Sequence, residues 1–254
     1  MSEELIAKYP SLKKAFEAGD DYVECDDGRE AKVMEYIYSH PELDKMRGNP
    51  ERILEVMDEF SGQKDLLISV GFQKKPILRD LITTEKPSVG VELGGYLGYS
   101  AILFADQMRR NAAANPEKSP LPRLWSLEAN PVYAAFVMSV VDLAGLGDIV
   151  KVVTGPAEAS LRRLHQSGEL QHVDFLFLDH NEKLYKADLR VCEELGIVGG
   201  GSVVVADNCG RPGAPDYREY VRALSRFETR AIPCFITPGD LADEIDVTRV
   251  LAKE

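Results

Sequence analysis

Two apolar runs in this chain each stop at an acid. Val173–Leu178 (VDFLFL) ends at Asp179-His180, and Ser202–Ala206 (SVVVA) ends at Asp207-Asn208. Asp179, Asp207 and Asn208 together offer hard oxygen donors, a set that suits Mg2+ with water and a ligand completing its sphere. The alternative is that these acids only cap helices, Asp179 serving one that starts near Lys183. Upstream, the run Val89–Leu93 leads into Glu92-Leu-Gly94-Gly95-Tyr96-Leu-Gly98-Tyr-Ser100. Glycines after a strand let a ligand approach the backbone closely. The spacing is not G-x-G-x-x-G, and the acid before the first glycine would repel a pyrophosphate but suit a cation. A further run, Leu124–Leu127, ends at Glu128, a carboxylate able to accept both hydroxyls of a ribose. Taken singly, a glycine turn is often just a tight connection, and a strand-end Glu is often just solvated. Their occurrence at two successive strand ends favours a ligand site.

These residues need a sheet that brings strand ends together, and the chain supplies its pattern. From residue 88 onward, short apolar runs (Val89–Leu93, Leu124–Leu127, Ile149–Val153, Val173–Leu178, Ser202–Ala206) alternate with helical segments. Those segments are Tyr99–Met108, Pro131–Ala144, Ala157–His165 and Lys183–Leu195. Near-continuous apolar strands joined by helices imply a parallel sheet covered on both faces. A helix with an Asp216–Glu219 capping box follows, then strands at Thr229–Phe235 and Val247–Leu251. Residues 1–84 read as helices only. Asn49-Pro50 forms an N-cap and first-turn signal before Ile53, Leu54, Met57 and Phe60, and Val33, Tyr36 and Ile37 share a face. The stretch Gly19–Glu30, with Asp20, Asp21, Glu24, Asp26, Asp27 and Glu30, reads as a solvated acidic loop, and Arg109–Pro122 as a polar insert. The expected organisation is an N-terminal helical extension over residues 1–48 and one α/β domain over 49–254.

Composition narrows the partners. A net charge of −12 disfavours nucleic acid and anionic membranes. The longest apolar runs fall well short of the roughly 18 residues of a membrane helix. Four cysteines at 25, 192, 209 and 234 show neither a CxxC pair nor zinc spacing, and read as free thiols in a reducing compartment. MSEELIAKYP lacks the basic segment and apolar core of a signal peptide, so the expectation is a cytoplasmic protein, monomeric or weakly dimeric.

E-x-G-x-x-x-G followed by an acid closing the next strand is the signature of S-adenosylmethionine-dependent methyltransferases, whose sulfonium is a cation. From about Pro50 onward the chain resembles the catechol O-methyltransferase family. The matching stretches are MDEFSGQKDLLISVG (57–71), VELGGYLGYSA (91–101), SLEANPVYAA (126–135), DLAGLGDIVKVVTG (142–155), DFLFLDH (174–180) and VVVADNCGRPGAPDYREYVR (205–222). The resemblance implies a doubly wound, mostly parallel seven-stranded sheet of the Rossmann-like methyltransferase type, with extra N-terminal helices. It implies Mg2+-dependent methyl transfer from S-adenosyl-L-methionine to a phenolic hydroxyl. Carried over residue by residue, it places Val70, Glu92, Gly94, Tyr96, Ser100, Glu128, Ala129, Gly155, Pro156, Ala157, Glu158, Asp179 and His180 at the cofactor, and Asp179, Asp207 and Asn208 at the metal.

The acceptor half departs from the family. The family's lysine base stands three residues after the first metal aspartate, where this chain has Glu182, with Lys183 one place on. A helical step of one residue turns a side chain by about 100°. Lys183 is the expected general base, with Glu182 as the alternative. The two tryptophans that flank the acceptor in the family are Leu66 and Asn181 here. The family's acceptor-binding Glu aligns with Thr237, and Pro212 is retained. Three readings stay open. One is a metal-dependent O-methyltransferase acting on a small hydroxylated aromatic. Another is a methyltransferase using a different nucleophile or no metal, and the third is a cofactor-binding protein without transfer activity.

Overall fold

The computed structural model describes residues 9, 11, 13, 25–114, 116, 121–237 and 241–252. Most of the acidic stretch before Cys25 and part of the Arg109–Pro122 insert lie outside them. Seven strands form one sheet in the order β3-β2-β1-β4-β5-β7-β6. They are β1 (Val89–Leu93), β2 (Arg123–Glu128), β3 (Val150–Thr154), β4 (Phe175–Leu178), β5 (Val203–Ala206), β6 (Phe227–Ile236) and β7 (Leu241–Val250). β1 to β5 run parallel, with Gly90 opposite both Leu124 and Phe175. β7 joins β5 antiparallel and carries β6 outside it. The expected doubly wound, mostly parallel sheet is the one observed.

Four-residue β4 (FLFL) and β5 (VVVA) are buried throughout, as strands covered on both faces must be. Successive side chains pass to opposite layers. Phe175 and Phe177 meet Phe104 edge-on at 5.3 and 5.0 Å between ring centroids. Leu176 and Leu178 join Tyr185, Leu189 and Tyr217 on the other side. Truncating Phe104 to Ala would cost about 3–5 kcal/mol.

One layer contains α1 (Arg29–Tyr38), the short α2 (Leu43–Met46), α3 (Pro50–Gln63), α4 (Gly71–Glu85), α5 (Tyr99–Ala113) and α6 (Pro131–Leu143). The other contains α7 (Ala157–Gln166), α8 (Tyr185–Glu194) and α9 (Pro215–Ala223). Asn49 and Asn130 cap α3 and α6 ahead of Pro50 and Pro131, accepting from the Arg52 and Val132 amides. The Asp216 capping box does not form: α9 starts at Pro215 after Ala214, with no side-chain cap, and Asp216 contributes only first-turn charge.

The end of the acidic stretch is only partly solvated: Asp26 is exposed, whereas Arg29 and Glu30 are buried. Arg29 is 1% and Glu30 3% exposed. Glu30 accepts from the Tyr96 hydroxyl at 3.0 Å, Asp26 accepts from the Tyr133 hydroxyl at 2.6 Å, and Arg29 donates to the Leu66 carbonyl at 2.9 Å. Phenol partners let these acids stay close to the core, and Val33 and Ile37 bury α1 in the same core as α3. No helix among the described residues is long and apolar enough to cross a membrane.

Candidate active site

The strand order reverses beside β1: the chain proceeds to β2 on one side and to β4 on the other, which opens a crevice at the strands' carboxyl ends. Backbone bonds level those ends. The Gly94 amide donates to Leu127 (2.9 Å), Asp179 to Leu93 (3.0 Å), Asp207 to Leu178 (2.9 Å) and Gly155 to Glu128 (2.9 Å). Gly94 has φ +97°, and a Cβ there would lie 2.2 Å from the Asp179 carbonyl oxygen. Only glycine allows the β1 turn to approach β4 this closely.

Above these ends lies a cavity of about 600 Å3. Among its lining residues are Val70, Gly94, Tyr96, Ser100, Glu128, Ala129, Gly155, Pro156, Ala157, Asp179, His180, Glu182, Asp207 and Asn208. Leu66, Asn181, Pro212 and Thr237, the positions altered or retained on the acceptor side, line it as well. Glu92, Glu158 and Lys183 do not. Glu92 is buried beneath the turn with no exposure, and Glu158 pairs with Arg162 at 3.0 Å on the surface.

At one end of the cavity Glu128 organises the glycine turn. Its Oε2 accepts from the Gly95 and Tyr96 amides at 3.0 and 2.9 Å, and its Oε1 from the Asn130 amide at 2.7 Å. Its role in the sequence reading was ligand binding alone; here it also holds the backbone that would surround that ligand. Below it, Glu92 Oε1 accepts from the Ser126 hydroxyl at 2.5 Å, while among the described residues Oε2 has no hydrogen-bond partner. Burial pushes this carboxyl up to about 7, against the pull of Ser126. His180 Nε2 lies 2.7 Å from Asp188 Oδ2. Assigning the proton to that nitrogen leaves buried Nδ1 as an acceptor without a partner in the cavity wall.

At the other end stand the acids of β4 and β5. Asp207 Oδ1 accepts from Lys74 Nζ at 2.6 Å and from the Asn208 amide at 2.8 Å. Lys74 Nζ also donates to Asp243 Oδ2 at 2.8 Å. Burial pulls the Lys74 ammonium down, but the two carboxylates more than offset it and hold it protonated, above its ordinary range. Burial raises Asp207, while Lys74 and the Asn208 amide pull it back. The 2.6 Å ammonium contact favours its charged form. Burial lifts Asp179 well above the carboxylate range, and the neighbouring Asp207 adds to this.

Asn208, at φ +53°, donates Nδ2 to the Arg211 carbonyl at 3.0 Å and to Asp243 at 3.3 Å. That fixes the amide and leaves its Oδ1 as a donor to a cation. Among the described residues no hydrogen bond reaches the Asp179 carboxylate or Asp207 Oδ2. No cluster of three or more His, Cys, Asp or Glu side chains among those residues is arranged to hold a metal. A cation here would therefore take the two carboxyl groups and the Asn208 amide oxygen, and its charge would offset the burial and the Asp207 repulsion that raise Asp179.

The helix-capping alternative for Asp179 finds no support, because Asn181 Oδ1 accepts from the Lys183 amide at 3.1 Å and caps the 3-10 turn Glu182–Leu184 itself. That turn sets the base candidates apart: Glu182 lines the cavity, and Lys183 is exposed outside the lining. Sequence reasoning missed Lys74, Asp243 and Arg211. A buried acid inside β7 and a lysine near the glycine of the Val70-Gly71 turn were the available signals.

The family model of a methyltransferase domain matches residues 91–209. The chain is 33% identical to bovine catechol O-methyltransferase over 218 residues, 86% of this chain and 75% of that protein. It is 34% identical to the pig enzyme over 183 residues, 72% of this chain and 93% of that protein. An O-methyltransferase from Bacillus cereus, solved in complex with SAH, shares the fold at a TM-score of 0.64 and 21% identity, covering 88% of this chain and 97% of its own. With a third of its residues shared across most of both sequences, the chain belongs to the catechol O-methyltransferase family and is an O-methyltransferase.

Proposed function

We propose that this enzyme moves the methyl group of S-adenosylmethionine to a phenolic hydroxyl of a small catechol-like or other hydroxylated aromatic acceptor, with Mg2+ held by Asp179, Asp207 and Asn208. One observation carries this reading: the two strand-end carboxylates and the fixed Asn208 amide line the same cavity as the Gly94 turn and Glu128. S-adenosylmethionine would supply an electrophilic methyl on its sulfonium. Mg2+, when bound, would favour the phenolate of a hydroxyl it contacts, since a free phenol has a pKa near 10.

The chain's own residues do the positioning. Glu128 takes the ribose hydroxyls while its backbone bonds keep the turn in place. The Val70 and Gly155–Ala157 segments wall the cofactor, and His180 Nδ1 is available to a donor on it. Lys74 stays charged and fixes Asp207 Oδ1, which leaves Oδ2 toward the cation. Glu182 receives the phenolic proton, a role that its place in the lining supports and the exposure of Lys183 does not. Leu66, Pro212, Ile236 and Leu241 form apolar walls for a ring. The extension over residues 1–48 contributes to the cofactor end, because Tyr96 and Tyr133 both line the cavity and are bonded to Glu30 and Asp26. Calorimetry of Asp207→Ala tests the metal assignment. The variant should lose Mg2+ binding and keep affinity for S-adenosylmethionine. Unchanged Mg2+ affinity would remove Asp207 from the metal site.

A further inference from the structure

The acceptor end of the cavity contains a cation that the reading above does not use. Of the lysines and arginines, Lys74 and Arg211 line the cavity among the described residues. Lys74 is committed to Asp207 and Asp243. Arg211 is tied down only through its backbone. Its amide donates to Asp243 Oδ1 at 2.8 Å, and its carbonyl accepts from Asn208 Nδ2 at 3.0 Å. Among the described residues its guanidinium has no hydrogen-bond or ion-pair partner, whereas Arg218 and Arg222 nearby are both paired with Asp246. The bonds that fix the Arg211 backbone come from residues of the acid cluster itself. A free guanidinium therefore grows from a backbone held rigidly to the place where the reacting hydroxyl would sit.

The surroundings make that charge selective. Beside His180 and the phenols of Tyr96, Tyr99 and Tyr133, the cavity's other ionisable side chains are the carboxyl groups of Glu128, Asp179, Glu182 and Asp207, on a chain of net charge −12. The walls nearest in composition to an aromatic slot, Leu66, Pro212, Ile236 and Leu241, offer no charge. Thr237 is 5% exposed, and among the described residues its hydroxyl has no partner. A ring with its hydroxyls at the acids thus has apolar faces to lie between and one unpaired cation for a substituent. Arginine's planar fork matches a carboxylate in two parallel hydrogen bonds, which an ammonium cannot reproduce.

We propose that the acceptor is a hydroxylated aromatic acid and that Arg211 is the specificity-determining residue, binding the ring's carboxylate. This inference rests on the O-methyl transfer to an aromatic hydroxyl proposed above.

The test compares 3,4-dihydroxybenzoate with 3,4-dihydroxybenzamide, which differ in charge and hardly in shape, on the parent, Arg211→Gln and Arg211→Lys. Because Arg211 is solvent-exposed, the expected preference of the parent for the acid is modest, about tenfold in kcat/KM. Arg211→Gln should bring the acid-to-amide ratio near one, and Arg211→Lys should fall between, keeping charge but losing the fork. The same pairs are measured by calorimetry with S-adenosylhomocysteine and Mg2+ present, where the affinity ratio should follow the same order. Equal ratios in parent and Arg211→Gln, or a parent that prefers the amide, would overturn the assignment. If no acceptor is methylated, the proposed transfer fails, and the calorimetric ratio alone then decides for or against Arg211. Melting curves check that each variant is folded, since both substitutions retain the backbone bonds.

Discussion

Replacing Glu92 by Gln removes one charge from the centre of the sheet without changing its shape. Glu92 has no solvent exposure, one oxygen bonded to Ser126 and one without a partner, and burial raises its carboxyl from 4.5 to about 7. The raised value means that the folded protein holds this proton more tightly than the unfolded chain does. Stability from this group is therefore complete below the unfolded value and is lost as pH rises toward the folded one. The whole loss is on the order of 3 kcal/mol, at about 1.4 kcal/mol per tenfold. Roughly 2 kcal/mol of it falls between about pH 5.5 and about pH 8, a range that stays above the isoelectric region. In a chain of this size that amounts to a melting-temperature difference of about 4–8 °C. The assay is thermal unfolding of cofactor-free, metal-free protein across that range. Glu92→Gln should exceed the parent by about 1 kcal/mol at the acid end and by about 3 kcal/mol at the alkaline end, a change of about 2 kcal/mol across the range. A parent-to-variant difference that does not change with pH would show that Glu92 ionises normally and that its burial carries no charge penalty.

Three further outcomes follow from the same geometry. Lys74→Met leaves Asp207 and Asp243 without their shared ammonium and should destabilise the fold by about 3–5 kcal/mol in urea unfolding; a loss under about 1 kcal/mol would mean the pair is not buried as a unit. Glu128→Gln should weaken S-adenosylmethionine by about 1.5–3 kcal/mol in calorimetry, and Glu128→Ala by more, because Ala also releases the Gly95, Tyr96 and Asn130 amides. Equal affinities in all three proteins would remove Glu128 from the site. Glu182→Gln should slow turnover about 10²–10⁴-fold with cofactor affinity unchanged, whereas Lys183→Met should stay near the parent rate; the reverse pattern would restore the lysine as base.

The central strands are legible in the sequence because burial on both faces forces continuous apolar runs, so the acid that ends each run stands out. The same logic hides the first half of β7, which starts at Leu241, whereas the sequence pattern marks a strand only from Val247. Asp243 and Asp246 interrupt its pattern, yet both are buried, one against Lys74 and the other against Arg218 and Arg222. Their partners are distant in sequence, so no local signal extends the strand back over Leu241–Asp246. Lys74 and Asp207 are 133 positions apart, and only the folded sheet joins them. The residues that the resemblance assigns to the metal and the cofactor turn stand in unbroken motifs, and the fold brings them to one cavity. It leaves the proton acceptor open, because where a one-residue displacement puts a side chain depends on local turn geometry. Here Asn181 caps a tight turn that leaves Glu182 in the cavity wall and Lys183 outside it. At the end of the acidic N-terminal stretch Glu30 departs from the solvated reading for a related reason: Tyr96 supplies a buried partner that composition does not show, while Asp26 stays exposed.

The central claim is metal-dependent methyl transfer to an aromatic hydroxyl at the Asp179, Asp207 and Asn208 site. It is tested most directly by following labelled methyl from S-adenosylmethionine into 3,4-dihydroxybenzoate and 3,4-dihydroxybenzamide, with metal-stripped enzyme in EDTA and after Mg2+ is restored. The account predicts a mono-methylated ring ether only when Mg2+ is present, and none with Asp207→Ala under either condition. Full methylation in EDTA, or a methylated product lacking the ether, would contradict it.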